Sequence, residues 1–210
     1  MSDDLTSRIL ERSARAGAVA ALGLAAAAAA YLSVLARWNR TINLTGFDLT
    51  AVSDEAIDRL VVEPFAASAH FLPTDRRVID IGSGGGSPAL LLKLARPDLE
   101  FMLIESKARK AAFLREAVRH LGVTGVRVEQ ARSAEVAKRD EVRAWADVVT
   151  VRAVRVDAEG LREFASLLGA DGRVFVFCGD GVAFAEAGHF PLVSERQSQL
   201  VVLRRASLVI

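Results

Sequence analysis

Val78-Ile79-Asp80-Ile81 is a β-branched run that ends in Gly82-Ser83-Gly84-Gly85-Gly86 and passes at once into an apolar stretch, Pro88 to Ala95. A strand that turns through glycines into a helix is the first half of a β-α-β unit. It commits the chain to a parallel sheet with crossover helices. The residues that follow keep this rhythm. Glu100–Ile104 predicts a second strand and Lys107–Leu121 an amphipathic helix stopped by Gly122. Val126–Val128 predicts a third strand, Ala134–Arg143 a short helix, and Asp147–Val151 a fourth strand. Glu159–Leu168 predicts a helix ended by Gly169, Arg173–Phe177 a fifth strand, and Gln199–Arg204 a late one. Right-handed crossovers make this an α/β fold, doubly wound in three layers, with a mostly parallel central sheet.

Residues 1–73 read as a helical lead-in packed on the same domain, and residues 74–210 as the core. Ala, Leu, Arg and Glu dominate the first forty residues, and proline is absent. The helical pattern stops near Trp38-Asn39, and Thr41–Phe47 reads as extended or turn-like. Asp54–Ala69 reads as helical again, with Pro64 expected in a first turn. The uncharged stretch Ala16–Ala36 is long enough to span a bilayer, but it is mostly alanine, which gains little in hydrocarbon. Leu22, Leu24, Leu32 and Leu35 are the expected packing residues of a helix docked on the domain. Acids balance the arginines before it, so it does not resemble a signal sequence.

Bulk composition excludes little. The net charge of +1 makes any nucleic-acid contact a local patch, and the single cysteine, Cys178, rules out an internal disulfide. A reducing, cytoplasmic setting and a monomer are expected. His70, His120 and His189 are scattered without ligand spacing, so no metal is expected.

The glycine loop lies where open α/β sheets bind ligands, beyond the carboxyl ends of the strands. Glu105 ends the second strand, 23 positions after Gly82, where a carboxylate accepts hydrogen bonds from ribose hydroxyls. Asp80 separates the two cofactor classes that use this arrangement. An acid just before the glycines repels a pyrophosphate and suits the cationic amino and sulfonium end of S-adenosylmethionine. The third glycine of the dinucleotide spacing is also missing, since Ser87 stands there. Gly82, Gly84, Asp80 and Glu105 are therefore read as a cofactor site for S-adenosylmethionine.

Several segments carry a family resemblance. They are Trp38-Asn39 with Asn43-Leu44-Thr45, DIGSGGGSP (Asp80–Pro88), LKLARPDLEFMLIES (Leu92–Ser106), KAAFLREAVRHLG (Lys110–Gly122), DVVTVRAV (Asp147–Val154) and the late Glu195–Arg205. In order and spacing they resemble the RsmG (GidB) family, from about residue 32 to 205. The resemblance implies a Rossmann-like class I methyltransferase that modifies N7 of one guanine in bacterial small-subunit ribosomal RNA. It also places Gly82 and Ser87 against the cofactor, Glu105 on its ribose, Ser133 and Ala134 beside its adenine, and Arg152 among the cofactor-site residues. The chain departs from the family pattern at Ser87, Ala89, Val151 and Cys178, and in the segment Val61–Phe65 that holds Glu63. The departures gather on the expected substrate side. They leave open a methyltransferase with another substrate, or a non-catalytic RNA-binding paralogue.

Guanine N7 carries a lone pair that is unprotonated at neutral pH, so transfer needs no general base, and no catalytic proton-transfer residue is expected. RNA contact requires local positive charge. Between Ser106 and His120, five basic side chains face one acid, Glu116. Lys107, Arg109 and Lys110, next to the cofactor edge, are the candidate RNA-binding residues. Arg115 and Arg119 are read as a solvated face.

Overall fold

A computed structural model describes residues 2–154, 156–179, 187–193 and 198–208. Helices α1 (Ser2–Arg15) and α2 (Leu22–Asn39) are followed by a short α3 (Asp54–Ile57), a π turn (Asp58–Val62) and α4 (Glu63–Ser68). The core comprises β1 (Arg77–Ile81), α5 (Ala89–Ala95), β2 (Glu100–Ile104), α6 (Ala108–Leu121), β3 (Val126–Glu129), α7 (Ser133–Val136) and β4 (Ala146–Arg152). It continues with α8 (Ala158–Leu167), β5 (Leu168–Gly179), β6 (Gly188–Val193) and β7 (Ser198–Arg204). The seven strands form one sheet in the order β3-β2-β1-β4-β5-β7-β6. The first five are parallel, and β7 runs antiparallel to both β5 and β6.

Period-two alternation in the strands feeds two cores, one on each face. Val78, Phe101, Leu103, Val148 and Phe175 pack with Leu32, Leu35, Val61 and Leu114 on one side. Ile79, Met102, Ile104, Val149 and Val174 pack with Val136, Phe164 and Leu167 on the other. This is the three-layer arrangement that the β-α rhythm predicts. The N-terminal helices belong to the first of these cores. A buried bidentate pair ties α1 to the π turn, with Arg12 Nε 2.5 Å and Nη2 2.7 Å from the two Asp58 oxygens.

The structure corrects several sequence expectations. The alanine-rich stretch is not one helix, because the chain breaks at Gly17 (φ +68°) and α2 starts only at Leu22. Leu22 is 68% exposed; the buried face of α2 instead carries Ala25, Ala28, Tyr31, Leu32, Val34 and Leu35. Small alanines let the helix lie close to its neighbours, so bulk is needed only at its C-terminal half. The helix expected over Ala134–Arg143 is a single turn, α7, followed by a 3-10 turn at Asp140–Val142. Gly169 does not end a helix. Strand pairing captures the chain at Leu168, opposite Ala146, so α8 runs directly into β5. Strand β6, with Pro191 inside it, was not foreseen; it is an edge strand, where a missing N–H is tolerated. Pro64 does sit in the first turn of α4. Among the described residues no helix is long and apolar enough to cross a membrane.

Candidate active site

Register puts the site residues side by side. Ile81 pairs with Ile104 on β2 and with Val151 on β4, so Gly82, Glu105 and Arg152 leave the same edge of the sheet. Gly82 has φ +70°, and a Cβ there would meet Val154 Cγ2 at 2.8 Å. The backbone thus demands glycine on both conformational and steric grounds. Gly85 is constrained by the lead-in, since its Cβ would lie 2.9 Å from the carbonyl oxygen of Leu44.

Two adjoining cavities open at this edge. One, of about 390 Å³, is bordered by Gly82, Gly84, Gly85, Ser87, Glu105, Lys110 and Arg152 below, and by Leu44–Phe47 with Tyr31 from the lead-in. The other, of about 370 Å³, is bordered by Glu105, Ser106, Ser133 and Ala134. Gly82, Glu105 and Val154 line both, so together they make one groove across the strand ends. A larger opening of about 850 Å³ lies at the other end of the sheet, against Leu72, Arg173 and Arg205, away from the glycine loop.

Glu105 is buried and braces the loop. Its Oε2 accepts from Gly84 N (3.0 Å) and its Oε1 from Lys107 N (2.8 Å). Each carboxylate oxygen has a further lone pair to offer, so both remain able to accept from a ligand hydroxyl in either cavity. Asp80 borders neither cavity. It is 1% exposed; its Oδ1 accepts from Thr150 Oγ1 (2.5 Å), its opposite number on β4, and its Oδ2 has no partner among the described residues. Burial pushes this carboxyl up to about 6, against partial relief from Thr150, Ser83 and the Arg152 charge. A buried, half-satisfied acid directly before the loop is unfinished without a donor or cation nearby.

Arg152 is held from several sides. It donates through Nη2 to Glu63 (2.7 Å), through Nη1 to Ser87 Oγ (3.2 Å) and to the Arg59 carbonyl, and its guanidinium lies 4.6 Å from the Phe177 ring. Glu63 is 1% exposed and is also paired with Arg59 (3.0 Å). Burial lowers the Arg152 pKa to about 10, partly offset by Glu63. Two of the departures from the family pattern, Glu63 and Ser87, are thus direct partners of Arg152. The others are not. Val151 and Cys178 face the opposite core, and Ala89 is fully buried in α5. The departures therefore do not all gather on the substrate side; strand alternation sends two of them to the far face.

The structure brings Gly82, Gly84, Ser87, Glu105 and Arg152 around one cavity, and Ser133 and Ala134 to the neighbouring one. Lys110 borders the first cavity, whereas Lys107 and Arg109 are exposed and border neither cavity. None of the three has an ion-pair partner among the described residues. Arg37 and Arg119 instead share Glu116, and Arg115 donates to the Val128 carbonyl (3.4 Å). Sequence reasoning missed Tyr31, Arg59, Phe47 and Thr150. Tyr31 is buried with its hydroxyl donating to Gly85 O (2.7 Å), and burial raises that hydroxyl well above its ordinary range. Trp38-Asn39 now has a structural meaning. Asn39 Oδ1 accepts from Leu44 N (2.9 Å) and Thr45 N (3.0 Å), which folds the cavity roof, and Trp38 packs edge-on against Phe113 of α6.

A parallel sheet with a glycine loop after β1 and a carboxylate ending β2 marks the Rossmann-like class to which S-adenosylmethionine-dependent methyltransferases belong. The fold is shared with a SAM-dependent methyltransferase from Aquifex aeolicus, at TM-score 0.57 and 12% identity over 74% of this chain and 95% of that one. It is shared also with a variant of MtNAS solved with S-adenosylmethionine, at TM-score 0.56 and 14% identity over 85% of this chain and 77% of that one. Within that class, residues 25–187 match the family model described as rRNA small subunit methyltransferase G (GidB), and the chain belongs to this family. Relatives named ribosomal RNA small subunit methyltransferase G include one from Acidothermus cellulolyticus, 40% identical over 64% of this chain and 60% of its own length. Another, from Xanthomonas axonopodis pv. citri, is 36% identical over 79% of this chain and 77% of its own.

Proposed function

We propose that this protein transfers a methyl group from S-adenosylmethionine to N7 of a guanine in small-subunit ribosomal RNA, in the cytoplasm. Family membership supports the methyl donor and the rRNA substrate. The observation that carries the reading is the groove itself, with one buried, half-satisfied acid behind a glycine loop and a second carboxylate bordering both cavities. The residues fit the cofactor: the glycines admit close approach, Glu105 offers free lone pairs to a ribose, and Asp80 supplies the negative charge that a cationic ligand needs. Ser133 and Ala134 border the cavity left for the adenine.

When bound, the cofactor supplies an electrophilic methyl group on a positive sulfur. The protein has no proton to move at N7, so its task is alignment and exclusion of water. The rigid β1, β2 and β4 ends fix the floor, and the Asn39-folded loop closes it from above. Lys107, Arg109 and Lys110, without ion-pair partners among the described residues, offer positive charge to the phosphates of the RNA.

Small ribosomal subunits lacking the modification, incubated with labelled S-adenosylmethionine, test this directly. Label is expected in one guanine of the rRNA. A protein that binds the cofactor by calorimetry and leaves the rRNA unlabelled refutes the substrate, and label confined to another fraction favours a different one. That Glu63 and Ser87, two of the departures from the family pattern, are both direct partners of Arg152 favours that second reading.

A further inference from the structure

We infer that Phe47 and Arg59 form the subsite for the target base, with the purine stacked on the Phe47 ring and its O6 held by the Arg59 guanidinium. The inference rests on the proposed RNA substrate and assigns residues to it. Both side chains border the cavity that shares Gly82 and Glu105 with the adenine-side groove. Two aromatic rings border this cavity. Tyr31 is fully buried, and its hydroxyl is committed to Gly85. Phe47 is half-buried, packed in part against the apolar core, and among the described residues no aromatic ring or guanidinium stacks on it. Its position is fixed from behind, because its amide donates to Thr45 Oγ1 (3.3 Å) in the loop that Asn39 folds.

Arg59 is the complementary partner. Its Nη1 is anchored on the buried Glu63 (3.0 Å), yet its side chain remains 34% exposed, unlike Arg152 at 14%. An anchored guanidinium with remaining donors free is oriented before a ligand arrives. Guanine presents two acceptors on its Hoogsteen edge, N7 and O6. A donor to O6 leaves the N7 lone pair free for the methyl group, and it finds no acceptor on adenine, whose corresponding group is an amine. RNA bases that are read individually are splayed from their stack onto an aromatic face and hydrogen-bonded at an edge. The cavity size lies in the range of small-molecule pockets, which accommodates one base.

The test is steady-state methylation of small subunits by the wild type, Phe47→Ala, Phe47→Trp and Arg59→Gln, with S-adenosylmethionine affinity measured separately by calorimetry. Phe47→Ala is expected to lower kcat/KM roughly 5- to 150-fold, the range for one lost base stack, and Phe47→Trp to retain most activity. Arg59→Gln is expected to lower it about tenfold or more. Glu63 keeps its Arg152 partner in that variant, so the fold is expected to hold. Cofactor affinity should change less than threefold in all three. Full activity in Phe47→Ala and Arg59→Gln overturns the subsite while leaving the methyltransferase reading intact. So does a cofactor affinity that falls in parallel with kcat/KM. An inactive wild type refutes the proposed function itself.

Discussion

Asp80→Asn should make the protein more stable and less able to bind its cofactor. Burial desolvates the Asp80 carboxylate and pushes its pKa up from 3.8 to about 6. A carboxyl whose folded pKa lies above its unfolded one loses stability as pH rises. Between about 4 and 6 the native state retains a proton that the unfolded chain has released, and above that window the penalty is fully present. At about 1.36 kcal/mol per pH unit, a rise from 3.8 to about 6 corresponds to roughly 3 kcal/mol. Asparagine has nearly the same shape, and its Oδ1 can still accept from Thr150. It carries no charge into the interior.

The variant is therefore expected to gain about 2–3 kcal/mol near pH 7.5, or roughly 5–10 °C in Tm for a chain of this size. The gain should shrink as pH falls through 6 and vanish only below about pH 3, where Asp80 is protonated in both states. Denaturant titrations at three pH values, with Tm as a second probe, measure it. A carboxylate destabilised by burial gains most from a nearby cation, so S-adenosylmethionine affinity at neutral pH should fall at least about tenfold in the same variant. An asparagine variant no more stable than wild type at neutral pH, or one with unimpaired affinity, refutes the reasoning.

Glu105→Ala removes two charge-assisted hydrogen bonds that brace the glycine loop, and each is worth about 1.5–3 kcal/mol. Calorimetry should find cofactor binding weakened more than about tenfold, with Glu105→Gln intermediate. Gly85→Ala drives a methyl group against the Leu44 carbonyl, a backbone atom that cannot swing aside. Denaturation should show a loss of about 1–3 kcal/mol, as for other overpacked sites. Replacing Lys107, Arg109 and Lys110 together by alanine should flatten the salt dependence of RNA binding by roughly 2 in log–log slope, at about 0.7 per single-strand phosphate. Filter binding across a salt series reads it.

The parallel core was legible because its signals are local. β-Branched runs, Gly122 as a left-handed helix stop and the Asp80–Gly86 turn each carry their structure in a few adjacent residues. The edge of the sheet was not, since β6 draws its strand character from pairing with β7 rather than from its own residues. Gly169 misled for a related reason: a glycine at a helix end is a stop signal only if no strand partner is waiting, and Ala146 was. The cofactor side of the site follows from register alone. Once β1, β2 and β4 are parallel, the residues ending them must meet. The roof could not be read this way. Tyr31, Phe47 and Arg59 reach the cavity from the lead-in, and no periodicity within it points at a glycine loop far along the chain.

Arg152 joins the two halves of the site. A guanidinium this buried requires acceptors, because an unpaired buried charge is far more costly than a paired one. Glu63 and Ser87 supply them, from α4 and from the glycine loop. The Ser87 hydroxyl accepts from Arg152 and itself donates to the Leu60 carbonyl (2.8 Å). The glycine loop is thereby tied to the π turn by a polar bridge. Gly82, Gly84 and Glu105 border the same cavity and take no part in this bridge. Ser87, Arg152 and Glu63 thus form one polar network at the wall of the cavity, and a double-mutant cycle between Ser87 and Glu63 should show coupling in cofactor affinity as well as in kcat/KM.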